Sequence, residues 1–474
     1  MSEPISSELT CDVAIIGAGT AGLAAERAAR KAGATTLLID DRFAGTTCAT
    51  AGCMPSKLLI AAAHAAHGVR RAGTFGIEAA APVIDGAAVM ARVRRERDAF
   101  VAGTIDTIEA IPSGIRVRAR ARFADSTTLM LDDGRRVSAR TIVIATGSRP
   151  HIPDTFAGLG DHILTNESIF ELPDLPGSVA VIGTGPLGLE LAQALARLGV
   201  VTALFDRGDT LAGLTDAAVE AALQAILIRE LPIHSNVSLT AAMQDDKVSL
   251  SWTGASQGSA LFDYVLVAAG RPPELAGLDL AAIGLTLDDH GTPVFDRATL
   301  RCGDSSIFIA GDADSDRPVL HEASAEGAIA GRNAATFPKV ERADRSVAFA
   351  VTFTDPPVAS VGAPADKDSV IGCAAYDDQG RAKIEARNAG LVRLYADPAD
   401  GRLTGATLLG PGMDHIGHLI AWAIERRETA TRLLELPFYH PTFEEGLKSA
   451  LREICATVRL PLPRDRDEGS TPGG

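Results

Sequence analysis

Two stretches of this sequence repeat the same order of features, and this repetition restricts the fold more than any other property of the chain. CDVAIIGAGTAGLAAERAARKAGATTLLIDD begins at Cys11, and SVAVIGTGPLGLELAQALARLGVVTALFDR begins at Ser178. Each stretch reads as an apolar strand, a glycine-rich turn, a helix, and a second apolar strand that ends at an aspartate. This order is typical of a βαβ unit that binds a dinucleotide.

The glycine spacing supports this interpretation in both copies. In each unit the last glycine and the terminal aspartate are 18 positions apart, and the residues concerned are Gly17, Gly19, Gly22 and Asp40, then Gly183, Gly185, Gly188 and Asp206. The first glycine makes the tight turn, the second lets the backbone approach a pyrophosphate, and the third brings the helix close to the strand. The helix N-terminus faces the anion, and the aspartate suits ribose hydroxyls. A single glycine motif is weak evidence, but two matched copies predict two dinucleotide sites.

The stretch TTCATAGCMPSK places Cys48 and Cys53 five positions apart in a chain with six cysteines. A structural zinc site is poorly supported, because zinc needs four ligands and the other cysteines are scattered singly. On an undistorted helix the two Cα atoms would lie about 8 to 9 Å apart, and a disulfide tolerates about 7 Å at most. A bridge therefore requires a bent helix start, which Gly45 and Gly52 favour. Taken alone, the spacing leaves open a redox-active pair or two buried, unpaired thiols.

Composition sets the class of protein. The chain has 474 residues, of which 46% are hydrophobic and 22% charged, and this length is enough for about three domains. The net charge of −15 argues against a nucleic-acid partner. The sequence contains no uninterrupted apolar segment of the ~18 residues that a membrane helix needs, and MSEPISSELT is unlike a secretion signal. We therefore expect a cytoplasmic protein without a membrane partner, where a close cysteine pair is more often catalytic than structural.

Three further apolar strands end at glycines. RTIVIATGSRP breaks at Gly147, DYVLVAAGRPP at Gly270, and IFIAGDAD at Gly311. The alternating segment IRVRARARF predicts exposed strands with arginines on the solvent face. After about residue 346 the pattern predicts strands, a helix around HIGHLIAWAIERR and a closing helix over FEEGLKSALREICATV. The final residues, PRDRDEGSTPGG, predict a disordered tail.

The order of motifs resembles a known family. The first βαβ unit is followed by ATG, a second glycine turn, GD and a late HPTxxE, and its cysteine segment contains Gly45, Cys48, Cys53, Pro55, Ser56 and Lys57. This order resembles the pyridine nucleotide-disulfide oxidoreductases, and within them the dihydrolipoamide dehydrogenases, from Asp12 to about Leu460. The resemblance implies an α/β fold with two Rossmann-like dinucleotide-binding domains, for FAD and NAD, and a C-terminal α+β dimerisation domain. It implies the limits 1–150 for the first part of the FAD domain, 151–272 for the NAD domain, 273–345 for a central segment completing the FAD domain, 346–460 for the dimerisation domain and 461–474 for the tail.

The resemblance also implies roles for individual residues. Lys57 is similar to the lysine beside the flavin N5, Glu190 to its carboxylate partner, and Asp312 to the aspartate that binds the flavin ribityl chain. No metal site is implied. The implied cofactor-binding residues are Gly17, Gly19, Gly22, Asp40, Lys57, Thr146, Gly147, Gly311 and Asp312, together with Gly183, Gly185, Gly188, Asp206 and Gly270.

The implied reaction joins dithiol exchange to hydride transfer. A dihydrolipoyl thiolate attacks Cys48, its second thiol displaces Cys48, and the reduced pair passes two electrons through Cys53 to FAD and on to NAD⁺. His440 suits the base that this exchange needs, and Glu445 would orient it. Thr442 to Glu445 is also T-x-x-E, the pattern of a helix capping box. In the family the histidine reaches the cysteines of the other subunit, which implies a homodimer with a shared active site and a lipoyl-bearing protein or small dithiol as substrate.

Some features depart from this pattern. CATAGCMPSK differs from the usual interior residues, and AGTTC has one glycine fewer than the common GGTC. VTFTDPPVASVG and EGLK also resemble mercuric reductase, although the sequence contains no adjacent C-terminal cysteine pair. A flavin reductase for metal ions or quinones is therefore an alternative enzyme. A redox-sensing flavoprotein without turnover is the non-enzymatic alternative, and the cysteine pair and His440 argue against it.

Overall fold

The protein is described here by a computed structural model that covers residues 8–463. The predicted disordered tail falls mainly on residues 464–474, which lie outside the described residues. Among the described residues, no helix combines the length and the apolar character needed to cross a lipid bilayer.

The N-terminal part of the chain forms a mixed sheet with helices on its faces. Its central strand, β1, pairs in parallel with β2 and β6, and the strand order is β3-β2-β1-β6-β5-β4. Consecutive β1 residues from Val13 to Ile15 are fully buried, as expected where helices cover both faces of a parallel sheet. The elements are β1 (Glu8–Ile16), α1 (Thr20–Lys31), β2 (Thr36–Asp40), α2 (Thr47–Thr50), α3 (Cys53–Arg71), α4 (Gly86–Glu109), β3 (Arg116–Arg118), β4 (Ala121–Asp125), β5 (Thr128–Leu131) and β6 (Arg136–Ile144).

The middle of the chain forms a second parallel sheet with the order β10-β9-β8-β14-β7. An antiparallel meander, β11-β12-β13, is inserted before the last of these strands in the chain. The β8-α5-β9 unit repeats the arrangement of β1-α1-β2. The elements are β7 (Ile163–Leu164), β8 (Ser178–Ile182), α5 (Pro186–Arg197), β9 (Val201–Phe205), α6 (Ala217–Leu227), β10 (Ile233–His234), β11 (Val237–Gln244), β12 (Lys247–Gly254), β13 (Gly258–Phe262) and β14 (Tyr264–Val267).

The chain then returns to the first sheet. Strand β15 (Ile307–Ile309) pairs in parallel with β6, and helix α7 (Leu320–Thr336) packs against α1. The two helices approach closely because α7 has glycines at the contact. A Cβ on Gly327 or Gly331 would lie 2.1 or 2.2 Å from a carbonyl oxygen of α1. This packing places the GD segment that follows β15 beside the first glycine turn.

The C-terminal part forms an antiparallel sheet with the order β16-β17-β20-β19-β18. Helices α9 and α11 pack on this sheet. The predicted closing helix begins later than expected, because a 3-10 turn over Glu444–Gly446 precedes α11. The elements are β16 (Phe349–Thr352), β17 (Val358–Gly362), β18 (Val370–Ala375), α8 (Gly380–Ile384), β19 (Leu391–Ala396), β20 (Leu403–Leu409), α9 (Met413–Glu425), α10 (Ala430–Leu434) and α11 (Leu447–Val458).

A buried ion-pair group ties these parts together. Arg197 at the end of α5 donates to Glu230 at 2.6 Å and to Asp355 of the C-terminal part at 2.7 Å. The predicted fold class, with two Rossmann-like parts and a C-terminal antiparallel α+β part, is confirmed. The domain limits given above stay a prediction. In such folds, ligands bind outside the carboxyl ends of the parallel strands, and the site residues lie there.

Candidate active site

The two cysteines lie on either side of a break in the helix that follows β2. Helix α2 ends at Thr50 and α3 begins at Cys53, and Gly52 between them adopts φ −119° and ψ −115°, outside the helical range. A Cβ on Gly52 would lie 2.9 Å from the carbonyl oxygen of Thr47. The bent helix start that the sequence requires is therefore present, and Cys48 and Cys53 line the same cavity.

The two sulfurs are not equivalent. Both are free thiols, which is the reduced form of the predicted redox pair. A hydrogen bond from Cys48 and the positive charge of Lys57 lower the pKa of Cys53 to about 6. The same hydrogen bond, together with burial, raises the pKa of Cys48. Near neutral pH the first proton therefore leaves Cys53, while Cys48 keeps its proton and donates it.

Lys57 lies one helical turn beyond Cys53 and is paired with a carboxylate on helix α5, which packs on the second parallel sheet. Its Nζ atom is 2.7 Å from Oε2 of Glu190, whose side chain is buried on α5. The other oxygen of Glu190 accepts the backbone N–H of Phe353 at 2.8 Å, and the Phe353 ring lies 4.5 Å from the lysine Nζ. These contacts of the half-buried Lys57 side chain hold a positive charge in a fixed position next to the cysteines.

The first and third glycines of both turns are required by close backbone contacts. Gly17 has φ +103° and Gly183 has φ +112°, and a Cβ on either would lie 2.3 Å from a carbonyl oxygen of the neighbouring strand end. A Cβ on Gly22 would lie 1.8 Å from the Gly17 oxygen, and one on Gly188 would lie 1.9 Å from the Gly183 oxygen. These glycines shape the turns and allow the helices to pack closely on the strands.

The second glycine of each turn is different, because it faces open space. Among the described residues, no atom lies within 4 Å of a Cβ placed on Gly19 or Gly185. Each of these glycines lines a cavity at the N-terminus of the following helix, α1 or α5. This is the position at which a pyrophosphate approaches the backbone in a dinucleotide site.

The first cavity joins the first glycine turn to the cysteines. Of the predicted site residues, those on its wall are Gly19, Cys48, Cys53, Lys57, Gly147, Glu190, Gly311 and Asp312. The hydroxyl oxygen of Thr146, next to Gly147, is buried without a hydrogen-bond partner among the described residues. An open glycine, a carboxylate and an unpaired hydroxyl fit a polar, phosphate-bearing cofactor such as FAD, for which these residues would form the cradle.

The second cavity lies beside the first, at the N-terminus of α5. The predicted residues on its wall are Gly183, Gly185, Asp206 and Gly270, and Arg207 lines it as well. Four residues, Asn166, Pro186, Leu187 and Arg271, line both cavities and separate one from the other. The arrangement fits two dinucleotides that approach a common wall from opposite sides.

The aspartates that end the second strands have a role that the sequence analysis missed. Oδ2 of Asp40 accepts the backbone N–H of Ala18 at 2.9 Å, and Oδ2 of Asp206 accepts that of Thr184 at 2.7 Å. Each carboxylate therefore fixes its own glycine turn. The ribose contacts expected of Asp40 and Asp206 remain predictions.

His440 is not among the residues that line the cysteine cavity of the same chain in the described structure. Its Nδ1 atom is 2.9 Å from Oε2 of Glu445, and the side chains are 55% and 3% exposed, respectively. Glu445 also accepts the backbone N–H of Thr442 at 3.2 Å, so half of the predicted capping box is present. The other half is absent among the described residues, because the Thr442 hydroxyl donates to the carbonyl of Tyr439. A buried carboxylate thus orients an exposed imidazole, as a catalytic base requires.

No metal site accompanies this group. Within residues 8–463, no cluster of three or more histidine, cysteine, aspartate or glutamate side chains is arranged to hold a metal ion. The remaining cysteines are dispersed, and Cys302 and Cys455 are buried.

Comparison with known proteins identifies the family. Residues 11–328 match the model of pyridine nucleotide-disulphide oxidoreductases, and residues 348–451 match the dimerisation domain of the same family. The chain belongs to this family. As a member it binds FAD and a nicotinamide dinucleotide, NAD or NADP, and its dimerisation domain indicates a homodimer.

Similar proteins fall into several branches of the family. The chain is 33% identical to a mercuric reductase from Acidithiobacillus ferrooxidans, with 94% of this chain and 83% of the relative covered. It is 29% identical to the dihydrolipoyl dehydrogenase of Bacillus subtilis, with 93% and 97% covered. A Cu(II) complex of RclA, an HOCl-induced flavoprotein disulfide reductase from Escherichia coli, has a TM-score of 0.80 at 20% identity, with 94% and 99% covered. This last likeness shows the fold alone.

Several residues of the site were not found from the sequence. Asn166 and Arg271 line both cavities, Ser148 accepts a hydrogen bond from Arg271, and Phe353 contacts both Lys57 and Glu190. Only Arg271 and Ser148 had a signal, because they directly follow the strand-ending Gly270 and Gly147. The others come from loops whose spatial neighbours are more than a hundred positions away in the chain.

Proposed function

We propose that this protein oxidises dihydrolipoyl groups with NAD⁺, using Cys48 and Cys53 as a redox-active pair. The observation that supports it most is the combination of an unsymmetrical dithiol with a carboxylate-oriented histidine. Cys53 is the more acidic thiol, and His440 is held at 2.9 Å by the buried Glu445. Dithiol exchange needs a thiolate and a base near neutral pH, and this chain has both.

The two cysteines divide the reaction. In the disulfide form, a substrate thiolate attacks the sulfur of Cys48, the Cys48–Cys53 bond breaks, and Cys53 leaves as a thiolate. The second substrate thiol then attacks the mixed disulfide, which releases the cyclic substrate disulfide and Cys48 as a thiol. Bound FAD would accept the two electrons of the reduced cysteine pair and supply the hydride-transfer chemistry that thiols lack. Lys57 stabilises the negative charge on Cys53 throughout.

His440 accepts the proton of the attacking substrate thiol at Nε2, because Glu445 occupies Nδ1. His440 is absent from the residues that line the cysteine cavity of its own chain in the described structure. We therefore propose that His440 serves the cysteines of the other subunit in the homodimer. The lipoyl group comes from another protein or from a small dithiol, and we expect the reaction in the cytoplasm, where thiols are kept reduced.

The preference for NAD over NADP rests on Asp206. Its carboxylate lines the second cavity at the end of β9, where a negative charge repels a 2′-phosphate. Arg207 lies on the same wall and would favour NADP. Asp206 is held in place by the Thr184 N–H and hydroxyl and by the Gly208 N–H, so its charge is fixed at the site, while Arg207 is exposed.

A second candidate function is reduction of a soft metal ion or of a quinone. The observation in its favour is the 33% identity to a mercuric reductase, an enzyme named for reducing a metal ion. Against it, Cys455 is buried and lies against Thr431, without a second cysteine beside it in the described part of the chain. A redox-sensing role without turnover is disfavoured by the His440–Glu445 pair, which such a protein does not need.

A steady-state screen tests the proposal. Dihydrolipoamide with NAD⁺ is compared with mercuric ion and quinones in the presence of NADH, and each assay is repeated with NADP(H). The proposal expects dihydrolipoamide with NAD⁺ to give the highest kcat/KM. A higher value for mercuric ion or a quinone, undiminished when Cys48 is replaced by serine, would contradict it.

A further inference from the structure

The carbonyl oxygen of Ala51 lies between the two cysteines and has no donor from its own helix. In a continuous helix it would accept the N–H of the residue four positions later. That residue is Pro55, which has no N–H. Pro55 is tolerated in the first turn of α3, but its presence leaves a buried backbone acceptor that requires a partner from elsewhere.

Asn166 supplies this partner. Its Nδ2 atom donates to the Ala51 oxygen at 2.9 Å across 115 positions of sequence. The Asn166 side chain is buried, with 3% of the residue exposed. It lies in the loop after β7, the edge strand of the second parallel sheet, and before β8. The cysteine loop is therefore attached to a different part of the molecule at the point where its helix is broken.

The orientation of the Asn166 amide is fixed from its other end. Arg271 donates through Nη1 to Oδ1 of Asn166 at 2.8 Å, so the amide nitrogen must face Ala51. Arg271 also donates through Nη2 to the Ser148 carbonyl at 2.7 Å. The Ser148 hydroxyl in turn donates to Asp312 at 2.8 Å. A continuous chain of hydrogen bonds thus runs from Asp312 to the cysteine loop.

We propose that Asn166 is a positioning residue for the dithiol, holding the Ala51 carbonyl so that the bent segment between Cys48 and Cys53 keeps its geometry. This inference rests on the proposed function, because it concerns the same cysteines. Without the Asn166 donor, the unpaired Ala51 carbonyl must move toward water, and the segment that joins the two sulfurs moves with it. Cys48 then donates less well to the Cys53 thiolate, and the thiolate forms at higher pH.

Other charged groups also face Cys53. Cys48, Lys57 and Glu190 act on it directly, and Arg271 and Asp312 line the same cavity. A substitution at Asn166 removes none of these five groups, and Arg271 keeps its hydrogen bonds to Ser148 when its bond to Asn166 is lost. For this reason a shift in the pH at which Cys53 loses its proton measures the loss of the hydrogen bond from Asn166 to Ala51 rather than the loss of a charge.

The test measures Cys53 by spectroscopy. The test uses the variant in which Cys48 is replaced by serine, whose hydroxyl can still donate to Cys53. The charge-transfer absorption band that the Cys53 thiolate forms with bound FAD is measured as a function of pH. We expect Asn166→Leu to move the midpoint of this band to higher pH by about one unit. In the Cys48 background, the ratio of dihydrolipoamide turnover to NADH-dependent ferricyanide reduction should fall about 10- to 100-fold.

Two further variants complete the experiment. Asn166→Asp keeps an acceptor for Arg271 but removes the donor to Ala51 and adds a negative charge to the cavity wall, so it should shift the midpoint in the same direction by at least as much as Asn166→Leu. Asn166→Leu adds no charge, and its shift therefore measures the loss of the donor alone. Asn333→Leu is the matched control, because Asn333 is a buried amide that holds the carbonyls of Thr299 and Glu341 at 3.0 and 2.9 Å, away from the cysteines. This control should leave the midpoint unchanged.

The possible outcomes separate the two proposals. If the protein with Asn166 intact and Cys48 replaced shows no band at any pH, the proposed function fails and this inference fails with it. If that band is present but neither Asn166 variant moves its midpoint, the proposed function stands and the positioning role of Asn166 is overturned. An equal shift with Asn333→Leu would also overturn it, because the effect would then follow from any lost buried amide.

Discussion

The two sides of the candidate active site differ in how much of each a single chain completes. The cysteine side is internal: Cys48, Cys53 and the Lys57–Glu190 pair share one cavity. The histidine side is oriented but open, because Glu445 is buried while the His440 side chain is 55% exposed. The comparison shows that one chain brings its two thiols and a positive charge together, whereas the exposed imidazole of His440 is consistent with the proposed action on the cysteines of the other subunit.

The largest effect is expected on the cysteine side. Cys48→Ser and Cys53→Ser should each abolish dihydrolipoamide turnover, since both sulfurs exchange bonds in the reaction. Their visible spectra should differ. Cys48→Ser leaves Cys53 as a thiolate beside the flavin and should show a long-wavelength band without any reductant. Cys53→Ser should show none, although FAD remains bound.

The pH dependence of this band tests whether Cys53 is the thiolate beside the flavin. In the reduced wild-type protein the pKa of Cys53 is lowered to about 6 by the Cys48 hydrogen bond and by Lys57. The thiolate, and with it the band, should therefore be present above this pH and disappear as the pH falls below it. A band in the Cys53 variant and none in the Cys48 variant would reverse the two roles.

A large effect is also expected on the histidine side. His440→Gln keeps the size and some hydrogen bonding but loses the base, so turnover with dihydrolipoamide should drop by roughly 100-fold or more. Bound FAD and dimerisation should persist, as measured by absorption and by size-exclusion chromatography with light scattering. Near-normal turnover would mean that Thr442 and Glu445 only cap a helical turn and that the base lies elsewhere.

The sequence predicted the cysteine side better than the connections around it. The two βαβ units, the bent helix start at Gly52 and the exposed arginines of IRVRARARF are all present, because strand alternation and glycine turns are local properties. Arg118, Arg120 and Arg122 are exposed, while Val117 and Phe123 are buried. Local patterns of this kind can be read within a few residues.

The contacts of Asn166 and Phe353 could not be predicted in this way. Each depends on how two separately folded parts of the chain pack together, and neither residue type is unusual in its own segment. The late start of α11 has a local cause, since Glu445 accepts the Thr442 N–H and binds His440 instead of beginning a regular helix. The T-x-x-E pattern alone does not distinguish these arrangements.

A smaller effect should follow from a change to the orienting carboxylate. Glu445→Gln retains an acceptor for the Thr442 N–H and for His440, but it removes the negative charge that stabilises the imidazolium. We expect turnover to fall about tenfold, less than for His440→Gln, with unchanged thermal stability. The double variant with His440→Gln should be no slower than His440→Gln alone. An additional loss in the double variant would show that Glu445 acts independently of the base.

The smallest effect is expected at the nicotinamide site, which belongs to the cysteine side. The wild-type protein should use NAD⁺ with at least about tenfold higher kcat/KM than NADP⁺, and Asp206→Ala should reduce this ratio. The reduction of ferricyanide by NADH, compared with NADPH, measures the choice of nicotinamide in a reaction that does not require His440. A comparable kcat/KM with NADP⁺ in the wild-type protein would mean that Arg207, rather than Asp206, dominates the choice of nicotinamide.

The central claim is that each active site combines the cysteines of one chain with His440 of the other, and mixed dimers test it most directly. Cys48→Ser and His440→Gln subunits are each inactive or nearly so in homodimers. A heterodimer of the two has one site with intact cysteines and an intact histidine. Random exchange in an equal mixture should therefore restore about a quarter of wild-type dihydrolipoamide turnover. If the mixture stays as inactive as its parents although heterodimers are present by mass spectrometry, each chain uses its own histidine and the claim is contradicted.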